Sequence, residues 1–380
     1  MKKLLTLALV LSSASAFATR ARVTALGNSA HLTDGSYIYN KPTYAAIVGD
    51  SLTLESGVTA NGFTTTGAVP DATDSSDANL GAEGMMVRSL GDAKFVLALG
   101  HDDSTTFMNR GMANAIKTNA ALTYAIRPQQ NPLFLAYATK MGDMHVGAGL
   151  RYSNFDDKKG DEKESTMGLT FDARGDKWNV DLDLGLTDEW KTGATNASPG
   201  DSFKGKSAIG LSGGYDLTDS LYVNAGFMSG GFKMEDNSAE VADVEYTNIN
   251  AGITESIKKD GTEFFYGAGL LSTSAKEKTS DSKVTSLKMP LIIGLEAEAN
   301  SWLVIRGSVT QNLLLVDSDK TTNGATTAVE TAPGANSTKL AAGAGLKFNK
   351  LTVDGSILAA GSQVINSANL LGTVGLTYAF

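Results

Sequence analysis

The sequence contains no cysteine, only 7 prolines and only 3 histidines among its 380 residues. Without cysteine there can be no disulfide framework, no thiolate metal site and no cysteine nucleophile. Proline is too scarce, and hydrophobic residues at 42% are too common, for a disordered chain. Lysine and arginine number 32 against 41 aspartates and glutamates. This acidic balance argues against a nucleic-acid-binding protein, which would need a basic surface.

Long hydrophobic runs are also missing. No internal stretch reaches the roughly 18 apolar residues that a membrane-spanning helix requires. A helical membrane protein is therefore excluded. A membrane β-barrel is not excluded, because its strands alternate apolar and polar residues and so leave the mean hydropathy near zero, as it is here.

The N-terminus has the three parts of a secretory signal peptide. Lys2 and Lys3 form a positive region, residues 4–11 are a short apolar run, and residues 16–18 match the A-x-A cleavage pattern. We expect residues 1–18 to be removed after they direct the chain through the inner membrane.

Beyond this signal, the chain alternates between apolar and small or polar residues. In the last eleven positions, one face holds Leu370, Gly372, Val374, Leu376, Tyr378 and Phe380. Such alternation is typical of a β-strand. Asp181 and Asp183 alternate with leucines in the same way, which suits a barrel with lipid outside and water inside.

The connections between candidate strands alternate in length. Short turns such as 91–92 and 349–350 alternate with long polar stretches at 59–80, 153–165, 187–205, 229–243, 272–283 and 314–337. Outer-membrane barrels alternate short periplasmic turns with long extracellular loops in this way, and those of bacteria have an even number of strands.

We therefore predict an all-β fold, a transmembrane antiparallel β-barrel of about 16 strands. This number treats residues 118–126 as part of a long outer loop. About 14 strands is the alternative, if the segments near 51–58 and 82–90 belong to a plug or loop. The expected organisation is a signal peptide at 1–18, a periplasmic or hatch-like segment at 19–50 and the barrel at 51–380.

The last strand resembles the insertion signal of outer-membrane barrels, with Val374, Leu376, Tyr378 and Phe380 at alternate positions up to the terminal residue. The whole pattern also resembles the porin-like proteins of gram-negative bacteria. These resemblances imply an outer-membrane location, contact with outer-membrane lipids, and the barrel-assembly machinery as a partner during biogenesis. A homotrimer is one possible assembly.

The segment 21–45 resembles the N-terminal segment of barrels of the long-chain fatty-acid transporter type. Its matching residues are Leu26 and Gly27, then Asp34, then Asn40 and Pro42, with Lys41 standing between the last two. In that family this region is a hatch folded inside the barrel. The resemblance therefore implies a plug in the lumen.

Enzyme chemistry is poorly supplied, and we predict that the protein is not an enzyme and needs no cofactor or metal. His31, His101 and His145 are scattered along the chain, and no metalloprotease, P-loop or serine-hydrolase motif occurs. Asp102, Asp103 and Ser104 follow His101, but such residues are ordinary in a polar loop.

The charged residues of the strands should point into the lumen, because an arginine or lysine on the lipid face at mid-bilayer costs about 2–4 kcal/mol. The alternation predicts the pore-lining set Arg88, Arg151, Arg174, Arg306, Lys288, Lys339, Lys347, Asp172, Asp181, Asp183, Glu296 and Asp354.

Three functions remain open from the sequence. The first is a porin, a channel for passive diffusion of small solutes, in which the segment 101–131 could fold inward as a constriction. The second is a transporter of hydrophobic substrates such as fatty acids, plugged by the hatch-like segment. The third is a structural or adhesive outer-membrane barrel.

Overall fold

The computed structural model describes residues 19–58, 80–101, 108–115, 129, 131–194, 196, 199–279, 281–321, 338–360 and 371–380. The expected signal peptide and the segment 118–126 lie outside these residues. So does most of the long stretches 59–80 and 314–337.

Strands make up most of the described chain. Their bounds are β1 Ser51–Val58, β2 Leu80–Leu90, β3 Ala93–Leu99, β4 Leu133–Met141, β5 Met144–Asp157, β6 Glu162–Arg174, β7 Trp178–Thr192, β8 Ser202–Gly205, β9 Ala208–Asp216, β10 Leu221–Asp236, β11 Ala239–Lys259, β12 Thr262–Glu277, β13 Ser282–Asn300, β14 Leu303–Thr321, β15 Lys339–Phe348, β16 Leu351–Ala360 and β17 Leu371–Ala379.

These strands form one closed antiparallel barrel. Successive strands pair with each other around the wall, and β1 pairs with both β2 and β17. The short strand β8 and strand β9 both lie between β7 and β10, so they are two parts of one wall strand, interrupted at Lys206 and Ser207. The described residues therefore build a wall of 16 strands.

The barrel confirms the predicted fold class and the larger strand number. Residues 51–58 and 80–90 are wall strands, so the alternative of about 14 strands is wrong. Ser51 pairs with Ala379 on one side and with Val87 on the other, which closes the barrel between its two ends. Both ends of the barrel sequence therefore lie at the same rim.

Three of the predicted long loops are wrong. Residues 153–165, 229–243 and 272–283 mostly continue strands β5, β6 and β10 to β13 and close through tight turns. These strands reach 21 residues in β11, whereas about 9–11 residues span a membrane. The extra length explains their polar sequences, since the barrel wall continues past the apolar belt.

The outer surface of the wall carries a belt of exposed apolar side chains, among them Leu211, Phe227, Ile249, Ile253, Leu270, Ile293, Ile305 and Ile357. The four residues of the predicted insertion signal lie on strand β17 or just after it. Large aromatic residues are exposed near the rim that holds both barrel ends, namely Trp178, Tyr215, Trp302, Phe348, Tyr378 and Phe380. This distribution is typical of a barrel with a lipid-facing exterior.

Short helices lie inside the wall. They are α1 Arg20–Ala25, two 3₁₀ helices at Gly35–Tyr39 and Pro42–Tyr44, α2 Ala45–Val48 and α3 Met108–Ala115. Across the described residues, we find no helix with the length and apolarity needed to cross a membrane.

The belt can be tested by placing one charge at two depths on the same face of β11. We expect Ile253→Arg, in the middle of the belt, to lower the free energy of unfolding by about 2–4 kcal/mol. Thr247→Arg lies six residues nearer the far end and should cost at most about 1 kcal/mol. Denaturant titration of the barrel refolded into phospholipid vesicles measures both values. Equal costs at the two positions would contradict the assigned belt.

Candidate functional site

Residues 19–48, here called the plug, fill the barrel lumen on the side of the chain ends. Thr19 caps helix α1 by accepting a hydrogen bond from the amide of Arg22 at 3.4 Å. Asp34 caps the first 3₁₀ helix through the amide of Ser36 at 2.9 Å. These caps satisfy backbone donors that would otherwise be unpaired inside the barrel. Part of the hydrogen bonding of the plug is therefore local.

The plug approaches the wall closely at Gly27. This residue has φ +66°, a left-handed conformation that favours glycine. A Cβ atom here would lie 2.8 Å from the Thr310 side chain and 2.9 Å from that of Ile292. Leu26 is fully buried nearby and packs in a cluster with Phe265 of β12. A larger side chain at position 27 would push the plug away from the wall.

A continuous network of charges joins the plug to strands β13, β14 and β16. Arg22 lies 3.0 Å from Asp34 within the plug and 2.8 Å from Glu296 of the wall. Arg306 then bridges Glu296 and Asp354, at 2.5 Å from each. Because these groups are buried, each needs its opposite partner.

The same network ends on the first residue of the plug. The Thr19 hydroxyl donates to Asp354 at 3.0 Å. Ser308 of β14 adds a neutral contact by donating to the Ala25 carbonyl at 2.9 Å. The N-terminal helix of the plug is thus fixed to strands β13, β14 and β16 of the wall.

A second set of contacts fixes the plug to strands β5, β6 and β7. Lys41 lies 3.2 Å from Asp181 and donates to Asn179 at 3.0 Å. The backbone amide of Thr43 donates to Asp172 at 3.1 Å, and the Thr43 hydroxyl binds the same carboxylate. These contacts hold the second 3₁₀ helix against the wall opposite the first network.

Arg151 supports the same part of the plug. Its guanidinium lies 3.0 Å from Asp183 and donates to Asn40 at 2.6 Å and to the carbonyl of Tyr39. Arg174 stacks over the ring of Tyr44, with its guanidinium carbon 4.8 Å from the ring centre. Cationic wall residues therefore bind the plug through both carbonyl oxygens and an aromatic ring.

A third anchor joins the plug to β1, β2 and the chain that follows β3. Arg20 contacts Glu55 and lies 2.6 Å from Glu83. Glu83 also binds His101 at 2.7 Å, and the His101 ring stacks on Tyr39 with 3.5 Å between ring centres. Glu83 thus binds both Arg20 of the plug and His101, which follows β3.

Two ionisable groups of the plug have pKa values that reflect their burial and partners. Burial raises the pKa of the Asp34 carboxyl, although the charge of Arg22 acts in the opposite direction. Burial lowers the pKa of Lys41, but the charge and hydrogen bond of Asp181 together with the nearby Tyr44 and Tyr222 outweigh burial and leave that pKa raised. Lys41 therefore stays protonated where it binds the wall.

Helix α3, the central described part of 101–131, lies inside the barrel, nearer its other end. Helix α3 places the fully buried Arg110 2.5 Å from Asp188 and 3.3 Å from Glu164. Asn109 donates to the carbonyl of Lys206 at 2.6 Å and accepts from the amide of Gly231 at 3.1 Å. Helix α3 is therefore bound to β7, β10 and the interruption between β8 and β9.

An apolar surface surrounds this helix. We call it the outer apolar cluster, and it comprises Met112, Ala113, Trp190, Phe203, Ala208, Phe232, Met234, Ala242, Val244, Tyr246, Ala275 and Val284. Its wall members point into the lumen from strands β7 to β13 at the end far from the plug. The wall around α3 is therefore largely apolar, although Arg110 brings buried charge into it. The wall around the plug combines the ionic anchors with a second apolar cluster, in which Ile38 and Tyr39 of the plug pack with Val87 and Phe134.

The predicted pore-lining residues fall largely on the inward face, but many hold the plug instead of facing water. Lys288 and Lys339 lie in phase with inward neighbours, and Lys347 binds Glu298 at 2.7 Å. The prediction that Arg88 lines the lumen is wrong. Arg88 is out of phase with buried Met85 and Val87, points to the exterior, and stacks on Phe380 near the rim.

The hatch-like residues Leu26, Gly27, Asp34, Asn40 and Pro42 all belong to the plug. Sequence reasoning missed the wall acids Glu55 and Glu83, although their alternation with exposed residues on β1 and β2 placed them on the inward face. It also missed the plug cations Arg20, Arg22 and Lys41, for which no periodic signal exists.

The three histidines are separated in the structure. His31 of the plug lies 3.2 Å from Glu263 of β12, and His101 belongs to the third anchor. His145 lies on the inward face of β5 beside Arg174. Within the described residues, no group of three or more histidine or acidic side chains is arranged to hold a metal ion.

Removing one member of the first network should loosen the plug. We expect Arg22→Met to leave Asp34 and Glu296 without their shared cation and to cost about 3–5 kcal/mol of plug docking. Hydrogen exchange of residues 20–26 should then accelerate strongly while the strands stay protected. Arg88→Met is the control, because Arg88 is an exposed arginine at the rim. Slow exchange in the Arg22 variant would show that this network does not hold the plug.

Comparison with known proteins concerns architecture. No protein-family model and no curated protein matches the chain. Among solved structures, the toluene transporter TbuX of Ralstonia pickettii is 10% identical, with a TM-score of 0.41, 96% of this chain covered and 98% of that chain. A Pseudomonas aeruginosa FadL homologue is 12% identical, with a TM-score of 0.41 and coverage of 97% and 100%. A porin is 10% identical, with a TM-score of 0.38 and coverage of 87% and 99%. These three structures are what the chain is similar to, and the 16-stranded barrel itself is established by the strand pairing described above.

Proposed function

We propose that this protein is a passive outer-membrane transporter for small hydrophobic molecules, in which the plug must shift to open a path. The observation that carries the proposal is that a plug anchored on several wall strands lies in one end of the lumen, while the outer apolar cluster lines the other end. Of the functions open from the sequence, this arrangement favours the hatch-plugged transporter over the water-filled porin.

The position of the plug argues against a permanently open pore. Its anchors lie on three parts of the wall, at Glu55 and Glu83, at Asp172 and Asp181, and at Glu296. A segment held from several directions occupies the middle of the lumen. A general diffusion pore instead needs a continuous aqueous channel.

The outer apolar cluster supports a hydrophobic substrate. Water-filled barrels line their lumen with polar residues, whereas here Phe203, Phe232 and Val244 point inward and are buried. Met112 and Ala113 of α3 cover this wall, and a molecule that takes their place and buries 150–200 Å² of apolar surface there gains about 4–5 kcal/mol at roughly 25 cal/mol per Å². That gain is enough for a substrate to collect there before it passes the plug.

The remaining features of the proposal follow from the sequence. We propose cleavage of residues 1–18, a plug within 19–50 and the barrel over 51–380, inserted by the barrel-assembly machinery into outer-membrane lipids. The inward residues of the predicted pore-lining set then serve mainly as plug anchors. A homotrimer is compatible with this arrangement, but no contact among the described residues requires one.

Locking the plug tests the requirement for its movement. The chain has no cysteine of its own, so the pair Thr43→Cys and Asp172→Cys can form only the intended disulfide between plug and wall. We expect the oxidised double variant to stop uptake of a hydrophobic probe such as toluene into vesicles, and reduction to restore it. Each single variant is a control. Equal uptake by the oxidised and reduced double variant would refute plug movement.

The role of the outer apolar cluster in uptake can be tested with two phenylalanines on β10. Phe232 points into the lumen, whereas Phe227 is exposed on the outer surface. We expect Phe232→Ala to slow toluene uptake about tenfold, since it removes about 1.4 kcal/mol or more of apolar contact. Phe227→Ala should leave uptake unchanged. Planar-bilayer conductance measured on the same proteins separates the porin, because a porin would show stable open channels in every case.

A further inference from the structure

The outer surface of the wall carries a groove that the transport proposal does not use. It has a volume of about 490 Å³ and lies across strands β9 to β13. Its residues Ile209, Thr247 and Lys276 are on the outward phase, as exposed Leu211, Ile249 and Leu270 of the same strands show. The groove therefore opens toward the surroundings of the barrel, and its volume falls in the range of about 300–1,000 Å³ typical of small-molecule sites.

The groove lies at the upper limit of the apolar belt. Ile209 closes its lower end, next to exposed Leu211 and Phe227 of the belt. Lys276 and Lys283 form its upper end, near the turn between β12 and β13. That turn belongs to the rim far from the barrel ends. A lipid placed here would have its acyl chains on the belt and its headgroup in the groove.

Small side chains create the depression. Ser229 and Gly230 of β10 and Ser274 of β12 form part of its lining, between larger neighbours. The interruption of the wall at Lys206 and Ser207 widens it on the β9 side. Hydroxyl groups therefore line the groove where the surrounding belt is apolar.

The groove is also locally basic. Its lining contains three lysines, at 206, 276 and 283, against one acid, Glu245, although the whole chain has a net charge of -9. Such a cluster suits a phosphate, which accepts strong hydrogen bonds from ammonium groups.

Nearby acids compete for two of these lysines. Lys206 lies 2.5 Å from Asp243 and 3.6 Å from Glu245, and Lys276 lies 3.3 Å from Asp281. The lysine side chains of these pairs are partly or largely exposed, and surface ion pairs contribute only about 0–1 kcal/mol. A doubly charged phosphate can therefore replace the carboxylates as the partner of the lysines.

We propose that this groove binds a lipid with a phosphorylated sugar headgroup in the leaflet at the far rim. The lysines bind phosphate, the hydroxyl groups of Ser207, Thr247 and Ser274 hydrogen-bond the sugar, and the belt below accepts the acyl chains. A sugar headgroup fits better than a simple phospholipid headgroup because hydroxyl groups line the groove between Ile209 and the lysines. This inference requires the barrel to lie in a membrane, but it does not depend on what the lumen transports.

The test uses the full mature protein in nanodiscs of phosphatidylcholine that contain a bis-phosphorylated lipid A. Native mass spectrometry then counts the lipid A that stays bound after detergent extraction. We expect the triple variant K206Q/K276Q/K283Q to retain about tenfold less lipid A than the unchanged protein. The control K158Q/K163Q/K191Q removes three exposed lysines elsewhere on the wall and should retain it fully.

Two further arms separate shape and lipid class. Ser274→Trp fills the groove without changing its charge and should also lose the lipid, whereas dephosphorylated lipid A should bind weakly to the unchanged protein. Heat-modifiable electrophoretic mobility confirms that each variant is a folded barrel. Full retention by the lysine variant, equal loss in the control, or equal retention of dephosphorylated lipid A would each overturn the proposal. So would lysine-dependent retention of phosphatidylglycerol to the same extent.

Discussion

Pairing of buried charge between plug and wall is the constraint on which the lumen depends. An ionised group taken out of water is expensive unless an opposite charge accompanies it. In this barrel the series Asp34, Arg22, Glu296, Arg306 and Asp354 alternates in sign across the boundary between plug and wall. Without the other, the plug and the wall would each leave buried charges unpaired. The barrel and its plug are for this reason one folding unit, even though different segments of the chain form them.

The end of the lumen that holds the plug and the end that holds helix α3 are lined by different residues. Around the plug, ion pairs and hydrogen bonds lie beside an apolar cluster in which Ile38, Tyr39 and Tyr44 pack on Val87 and Phe134 of the wall. Around helix α3, the wall offers aromatic and aliphatic side chains, and Arg110 forms ion pairs with Glu164 of β6 and Asp188 of β7. His101 and Glu83 connect these two ends, since the chain that leads toward α3 begins at the residue that stacks on the plug. A displacement of the plug therefore also changes the contacts of His101, the residue at which the chain toward α3 begins.

Much of the fold could be predicted from the sequence, because period-two alternation records which face of each strand meets lipid. It placed Asp181, Asp183 and Arg151 inward and identified the wall strands. Arg88 was misplaced because Met85, Met86 and Val87 are apolar in succession, so alternation carries no phase there. The partners of the plug could not be predicted in the same way. Arg22 and Glu296 are 274 positions apart, and only the closed barrel brings them together.

The Asn109 side chain completes the hydrogen bonding of the wall at the interruption between β8 and β9. Its side-chain amide donates to the carbonyl of Lys206 and accepts from the amide of Gly231, and so it supplies both hydrogen bonds of a backbone peptide between neighbouring strands. Here an inward helix substitutes for the missing length of wall between β8 and β9. The Lys206 amide still donates to the Gly231 carbonyl at 2.8 Å, so the wall and the helix share the hydrogen bonding at this level. Strands β8 to β10 therefore depend on α3 for part of their hydrogen bonding, and the helix is a structural element of the wall as well as an occupant of the lumen.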